Sequence, residues 1–282
     1  MITEEISMPM PKQTAEGLRY NKKGKISVSC KDKNMSLVYF FTGTAVCAVL
    51  SFAYLDVDWL KLLSRVPSIG EVFFKLAHFD FSMMDLVGEA FMETVSIAVL
   101  STIYSMVLGL FFGMIAAENI FRIHILSVTV KSFFTFLRAV PTPVWVLLML
   151  VCMGFGPSAG IAGLCVHTTA FFTKSFSQSF EDISTETIEA LEVTGASKVS
   201  VFTNAVLPAA FSQLIAWTGM RFEINFSECA ILGMVGAGGI GYVISSNIQG
   251  YQYGVAGVAI FLVFIFAFLI ERLFVKIKSL IK

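Results

Sequence analysis

The chain has 282 residues, 56% of them apolar and 14% charged, with a mean hydropathy of +0.78. Average soluble domains carry about 25% charged residues, so too little polar side chain remains here to cover a globule in water, and the solvent for much of the chain is lipid. Twenty basic and 20 acidic residues cancel, which excludes a broadly basic nucleic-acid binder.

A membrane helix needs about 20 mostly apolar residues. Residues 1 to 36 are mostly polar and read as a cytoplasmic N-terminal tail. Leu37 to Leu55 follows with 19 uncharged residues, longer than a secretory h-region, and reads as a retained first span (37–55). The stretch from Asp56 to Glu93 mixes Asp58, Lys61, Arg65, Asp80 and Asp85 with Trp59, Phe73, Phe74, Phe79 and Phe81. Two readings fit it, an amphipathic segment resting on the outer interface and a docking surface. Thr94 to Ala117 gives 24 uncharged residues and a second span (94–117).

Lys131 and Arg138 precede the third span and are expected to snorkel to the inner interface, with lipid phosphates or an ATPase as other partners. Between Arg138 and Lys174 lie 35 uncharged residues, roughly 52 Å as one helix and too long for one crossing. Gly154-Phe155-Gly156-Pro157 breaks the run and predicts spans at 139–155 and 158–173, with Pro141 and Pro143 kinking the entry to the first of them. His167, inside the fourth span, is read either as a neutral donor to a neighbouring helix or as a substrate contact.

Asp182-Ile183-Ser184-Thr185-Glu186 opens an inner loop in which Ser184 or Thr185 can cap a short helix and Glu186 suits its first turn. That helix should stop at Gly195, a residue suited to a left-handed backbone, and a second helix should start near Ser197. Val199 to Met220 is uncharged for 22 residues and predicts span five (199–228). Tyr253 to Ile270 predicts span six (253–271). Cys229 to Ile244 is apolar but holds Gly233, Gly236, Gly238, Gly239 and Gly241.

Charge settles the topology. With six spans and both termini inside, sixteen of the 20 Lys and Arg fall inside, three fall outside, and Arg221 lies within the membrane. A seventh span would put the basic C-terminus outside, against the positive-inside rule. Residues 229 to 252 are therefore expected to end span five and fold as an outer or re-entrant segment. Irregular backbone at that depth must be buried in protein or line a watery cavity.

Several motifs are absent or fail. Gly236 to Gly241 spells GxGxxG, but an apolar helix precedes it and no acid follows about 20 residues on; close packing or a bendable gate at Gly236, Gly238, Gly239 and Gly241 explains it better. There is no phosphate-loop motif, so no ATP is expected to bind there, and no HExxH or GxSxG. The five cysteines form no CxxC pair and suggest neither a disulfide framework nor a metal site.

Glu189-Ala190, then Gly195, then Leu207-Pro208 stand at the spacing of the EAA loop of ABC transporter permeases, with Leu191 replacing the second alanine and Ala205 the isoleucine. A longer stretch resembles the phosphonate-type branch of that superfamily: His167-Thr168-Thr169, Arg221-Phe222-Glu223, Asn225, and Leu232 to Gly241, with Ala117-Glu118-Asn119. The branch often has Arg-Glu-Ser where this chain has Ser227-Glu228-Cys229. The resemblance covers about residues 90 to 275 and implies an all-α integral membrane protein of the type I ABC importer, methionine-permease-like fold. It implies a permease domain over 37–275, a coupling loop over 180–198 and a cytoplasmic tail over 276–282. The implied partners are a second copy of the chain, two cytoplasmic ABC ATPase subunits holding ATP and magnesium, and an extracytoplasmic solute-binding protein. The implied location is a bacterial plasma (inner) membrane. Glu189, Ala190, Gly195, Leu207 and Pro208 would shape the coupling helix and its entry to span five.

The pattern adds a stripe. Gln213, Trp217, Arg221, Asn225 and Glu228 are spaced 4, 4, 4 and 3, one face of a helix, and a charge at membrane depth faces a cavity or a partner. Together with His167 they are read as a translocation path, with Arg221 attracting an oxyanion; the alternative is a structural seam in which Arg221 and Glu228 satisfy each other. The expected function is import of phosphonate or a related phosphorus oxyanion. The alternatives are methionine or another small anion as cargo, and a membrane-embedded enzyme using Arg221, Glu223 and Glu228.

Overall fold

The computed structural model describes residues 31–55 and 58–280; residues 1–30, and with them most of the N-terminal tail, lie outside the described part. Every regular element among the described residues is helical. The chain divides into two compact units, one ending at Pro67 and one running from Ser68. The first contains α1 (Lys31–Leu55) and the start of α2 (Trp59–Ala77). The side chains of α1 are exposed from Met35 to Leu55, including Phe40, Phe41 and Phe52, an apolar surface suited to lipid. Asp58 accepts a hydrogen bond from the Lys61 amide at 3.2 Å, beside the first turn of α2, and none of the residues of α2 is buried.

The second unit is built around α7 (Pro157–Glu181), with α3 (Met84–Ala116), α5 (His124–Ala139), α6 (Thr142–Met153) and α10 (Leu207–Leu232) packed about it. Fourteen of the 25 residues of α7 are buried, and six of these are Thr or Ser. Small side chains let neighbours close in: a Cβ added at Gly109 of α3 would land on the Phe172 Cβ of α7, and one at Gly163 of α7 on the Val146 backbone of α6.

Among the described residues, four helical segments are long and apolar enough to cross a membrane: Met35–Leu55, Met84–Ala116, Lys198–Ala237 and Tyr253–Ile277. A fifth forms if α5 and α6, bent by 85°, count as one. The protein is thus a multi-pass, all-helical membrane protein of four or five clear spans. The expected span at 158–173 corresponds to α7, whose buried Thr and Ser lower its hydropathy because its neighbours, not lipid, surround it.

Several boundaries differ from the sequence expectation. α3 begins at Met84, ten residues before the uncharged run, because Asp85, Glu89 and Glu93 are compatible with a helix even where they are costly in lipid. The segment 124 to 139, expected as loop before the third span, is itself helical as α5, and the bend falls at Val140-Pro141, where proline restricts the residue before it to extended backbone. The break at Gly154-Phe155-Gly156-Pro157 is present, with Gly154 at φ +86° and Gly156 at +136°. The fifth segment runs from Lys198 through α9 (Lys198–Val201), a π-helical stretch at Phe202–Val206 and α10 into a second, widened stretch at Gly233–Ala237, where a kink at Gly236 interrupts it. The first stretch precedes Pro208, which has no N–H for the usual i−4 bond; the widened turn absorbs the missing donor and the helix does not break. The second ends in Gly236 at φ +113°. After it come α11 (Ile240–Gln249) and α12 (Tyr253–Leu280).

Candidate functional site

The loop between α7 and α10 contains α8 (Thr185–Glu192). Its first turn carries Glu186, but Ser184 does not cap the backbone; its hydroxyl lies 2.8 Å from that of Thr187. Gly195 turns the chain at φ +81°, and the Ser197 hydroxyl accepts from the Ser200 amide at 3.3 Å, starting α9. One apolar side of α8 is seated: Ile188 is 1% exposed, in a cluster with Ile120, Phe176, Phe180, Val201 and Phe202. Glu189 and Ala190 face outward.

Ion pairs fasten this loop to α4 (Glu118–Phe121), the link between α3 and α5. Arg122, itself in the left-handed region at φ +54°, reaches Glu189 Oε1 at 3.4 Å and Glu192 Oε2 at 3.2 Å. Lys198 pairs with Glu192, and that contact, followed by the fields of Arg122 and Lys198, holds the Glu192 carboxyl below the usual carboxylate range. Lys131, expected to snorkel to the inner interface, pairs with Glu181 Oε1 at 2.7 Å where α5 packs on α7.

The stripe on α10 separates into two parts. Gln213 and Trp217 line a cavity of about 560 Å³ between α7, α10 and α12, along with Asp182, Glu223 and Glu271. Trp217 Nε1 also donates to the Ser179 hydroxyl at 3.1 Å. Arg221 and Asn225 are shut inside the chain, 4% and 0% exposed. Arg221 donates to the Thr168 hydroxyl at 3.2 Å, to His167 Nδ1 at 3.1 Å and to Glu228 Oε2 at 3.3 Å. A guanidinium accepts nothing, so His167 Nδ1 is the acceptor and carries no proton. Asn225 donates to Thr102 at 2.9 Å and accepts from Thr168 at 2.9 Å. Thr142 donates to the other Glu228 oxygen at 3.4 Å. One network therefore ties α3, α6, α7 and α10 together.

The glycine-rich turn after α10 is tightly held. Glu93 Oε2 accepts from the Gly239 amide and Thr94 Oγ1 from the Ile240 amide, both at 2.8 Å, so α3 caps the start of α11. Gly156 donates to the Gly236 carbonyl at 3.2 Å, and a Cβ at Gly241 would collide with the Ala230 carbonyl. Gly238 and Gly239 sit at φ +83° and +72°.

A second cavity, about 760 Å³, opens between α5 and α7 and is lined by Lys131, Ser132, Thr135, Lys174 and Gln178, among others. The sequence reading gave no role to Lys174, Thr102, Glu93 or Arg122, and quoted Thr168 only within a motif. A search for periodicity on every helix, rather than on α10 alone, would have found the α7 row His167, Phe171, Lys174, Gln178, spaced 4, 3 and 4.

An all-helical membrane protein with a surface helix held between two spans and a polar network through its centre belongs to the transporter class. The match is specific: residues 109–277 fit the family described as "Binding-protein-dependent transport system inner membrane component", and the chain belongs to that family. It is 30% identical over 234 residues to the "Phosphate-import permease protein PhnE" of Mycolicibacterium smegmatis, covering 82% of this chain and 44% of that one. The chain thus spans less than half the length of this relative. It is 28% identical over 196 residues to the "Phosphite transport system permease protein PtxC" of Stutzerimonas stutzeri, covering 70% of this chain and 71% of that one. In fold it is similar to a solved inward-facing form of the MetNI methionine ABC transporter, at 24% identity and TM-score 0.67, over 72% of this chain and all of that one. Membership of a transport family supports the transporter reading over the membrane-enzyme one.

Proposed function

We propose that the chain is the membrane-spanning permease subunit of an ATP-driven importer for phosphonate or a related phosphorus oxyanion. The observation that carries this reading is the similarity to phosphate- and phosphite-transport permeases, which extends over 82% of the chain for the first and 70% for the second of those named above. The fold likeness to a methionine transporter leaves methionine as the second cargo to test.

In this account α7 is the sixth crossing, and the distribution of Lys and Arg puts both termini and α8 on the cytoplasmic side. α8 is the coupling helix: Ile188 anchors it to the bundle while Glu189 and Ala190 present its outer side to a cytoplasmic ATPase, which holds ATP and magnesium. Gly195 sets the turn, and Leu207-Pro208 carry motion into α10. A second copy of the chain completes the pathway, and a solute-binding protein delivers cargo from outside. Gln213 and Trp217 line a cavity open to that pathway, whereas Arg221, Asn225, Glu228 and His167 act chiefly by holding four helices in register. The glycines at 236, 238, 239 and 241 permit the close packing that holds α11.

Deletion of the gene in its host tests the reading. Growth on methylphosphonate or phosphite as sole phosphorus source should be lost and restored by the intact gene, and Gly195→Pro should fail to restore it. Unimpaired growth on both, with a defect in methionine uptake, would overturn the oxyanion reading.

A further inference from the structure

We infer that the cleft between α5 and α7 is a binding station for a phosphorus oxyanion, with Lys174 supplying the charge and Ser132, Thr135 and Gln178 the neutral hydrogen bonds. The inference rests on the oxyanion reading above. It assigns the contact to residues outside the α10 stripe.

The geometry begins with two helical rows. On α5, Lys131, Thr135 and Arg138 are spaced 4 and 3, and on α7, His167, Phe171, Lys174 and Gln178 are spaced 4, 3 and 4, so each set lies along one side of its helix. The rows meet. The Arg138 guanidinium lies 5.4 Å from the Phe171 ring centre, Lys131 pairs with Glu181 at 2.7 Å, and between these contacts the cavity of about 760 Å³ is lined by Lys131, Thr135, Lys174 and Gln178. Arg221 approaches the same Phe171 ring at 5.6 Å, so the cations run from the buried centre of the bundle toward the loop that carries α8.

Charge decides which groups are available. Lys131 is neutralised by Glu181, and Arg221 is enclosed with Glu228. Lys174 is exposed and forms no ion pair among the described residues. An ammonium beside two hydroxyls and an amide offers the charged and neutral donors that a phosphonate or phosphite anion takes. The neighbouring cavity shares Gln178 but is lined by Asp182, Glu223 and Glu271, with no Lys or Arg. An oxyanion that enters the cavity lined by Gln213 and Trp217 meets no cation to hold it there, whereas Lys174 attracts it into the α5–α7 cleft.

The test is uptake of methylphosphonate into vesicles containing the permease with its ATPase and binding-protein partners, with the membrane either phosphatidylcholine alone or mixed with phosphatidylglycerol. Lys174→Gln should lower uptake at subsaturating cargo by about tenfold, the loss of one charge-assisted hydrogen bond, and Lys174→Arg should keep most of it. The loss should be the same in both membranes. Wild-type rates in Lys174→Gln would overturn the inference, as would a loss confined to the phosphatidylglycerol vesicles, which would mark the cleft as a lipid headgroup site. If the glutamine variant fails to assemble, the milder Ser132→Ala with Thr135→Val decides: a severalfold rise in half-saturating concentration supports the inference and no change overturns it. A wild-type protein that takes up methionine and neither oxyanion sinks the underlying reading as well, and is recognised before any variant is made.

Discussion

Substituting Arg221 tests whether the central network holds the bundle together or lines a path. Its guanidinium is 3.3 Å from Glu228 and 4% exposed. At an effective dielectric of about 20 that contact is worth about 5 kcal/mol. Against it stands the cost of placing each charge at membrane depth, about 2.5–3.5 kcal/mol on insertion scales, so the pair as a whole comes close to neutral. Removing one partner is different, because it strands the other at a cost of about 3–5 kcal/mol. Glu228 keeps 26% side-chain exposure, and water there reduces the expected loss to about 2–3 kcal/mol for Arg221→Gln. Glu228→Gln strands the enclosed guanidinium instead and should cost the full amount of about 3–5 kcal/mol. The double variant should lose clearly less than the two single losses combined, with a coupling of at least about 1 kcal/mol. Equilibrium unfolding in mixed detergent micelles measures all four proteins. Strict additivity, or a stable Arg221→Gln protein that has lost all uptake, would refute the structural role and return Arg221 to the path.

Gly195→Ala places a side chain at φ +81° and should cost about 1–2 kcal/mol in the loop; weaker retention of the ATPase subunit on copurification is the expected readout. Asn225→Leu removes two interhelical hydrogen bonds and should destabilise by about 1–2 kcal/mol, since such bonds average about 0.6 kcal/mol each in membranes, as read by the same micelle titration. Thr94→Val deletes the acceptor for the Ile240 amide, and hydrogen exchange at Ile240 should accelerate while exchange in α7 stays unchanged. The Glu192 carboxyl is held down by Lys198, and the Glu118 carboxyl by its contact with His124. A depressed carboxylate stabilises above its unfolded value and loses that contribution as pH falls through the folded one. A spin label at exposed Val193 should therefore move alike from pH 8 to 5 and become more mobile below about 4.

Apolar runs and glycine breaks are local properties, so the helices at Leu37–Leu55, Thr94–Ala117 and Tyr253–Ile270 and the turn at Gly195 were legible in the sequence. α5 was not, because its charged and aromatic residues read as loop until α7 is present to receive Lys131. The residues of the stripe all lie on α10, but periodicity cannot tell an open cavity from a buried partner. Only the packing of α3 and α7 shows that Gln213 meets a cavity while Asn225 meets Thr102 and Thr168. The Glu93 contact to Gly239 joins residues 146 positions apart, and no short-range pattern announces it.

The most direct measurement is ATP-dependent uptake by the reconstituted transporter, with methylphosphonate, phosphite, phosphate and methionine offered in competition. The account predicts accumulation of a phosphorus oxyanion that requires ATP and is not reduced by excess methionine. Accumulation of methionine unaffected by any of the oxyanions would contradict it.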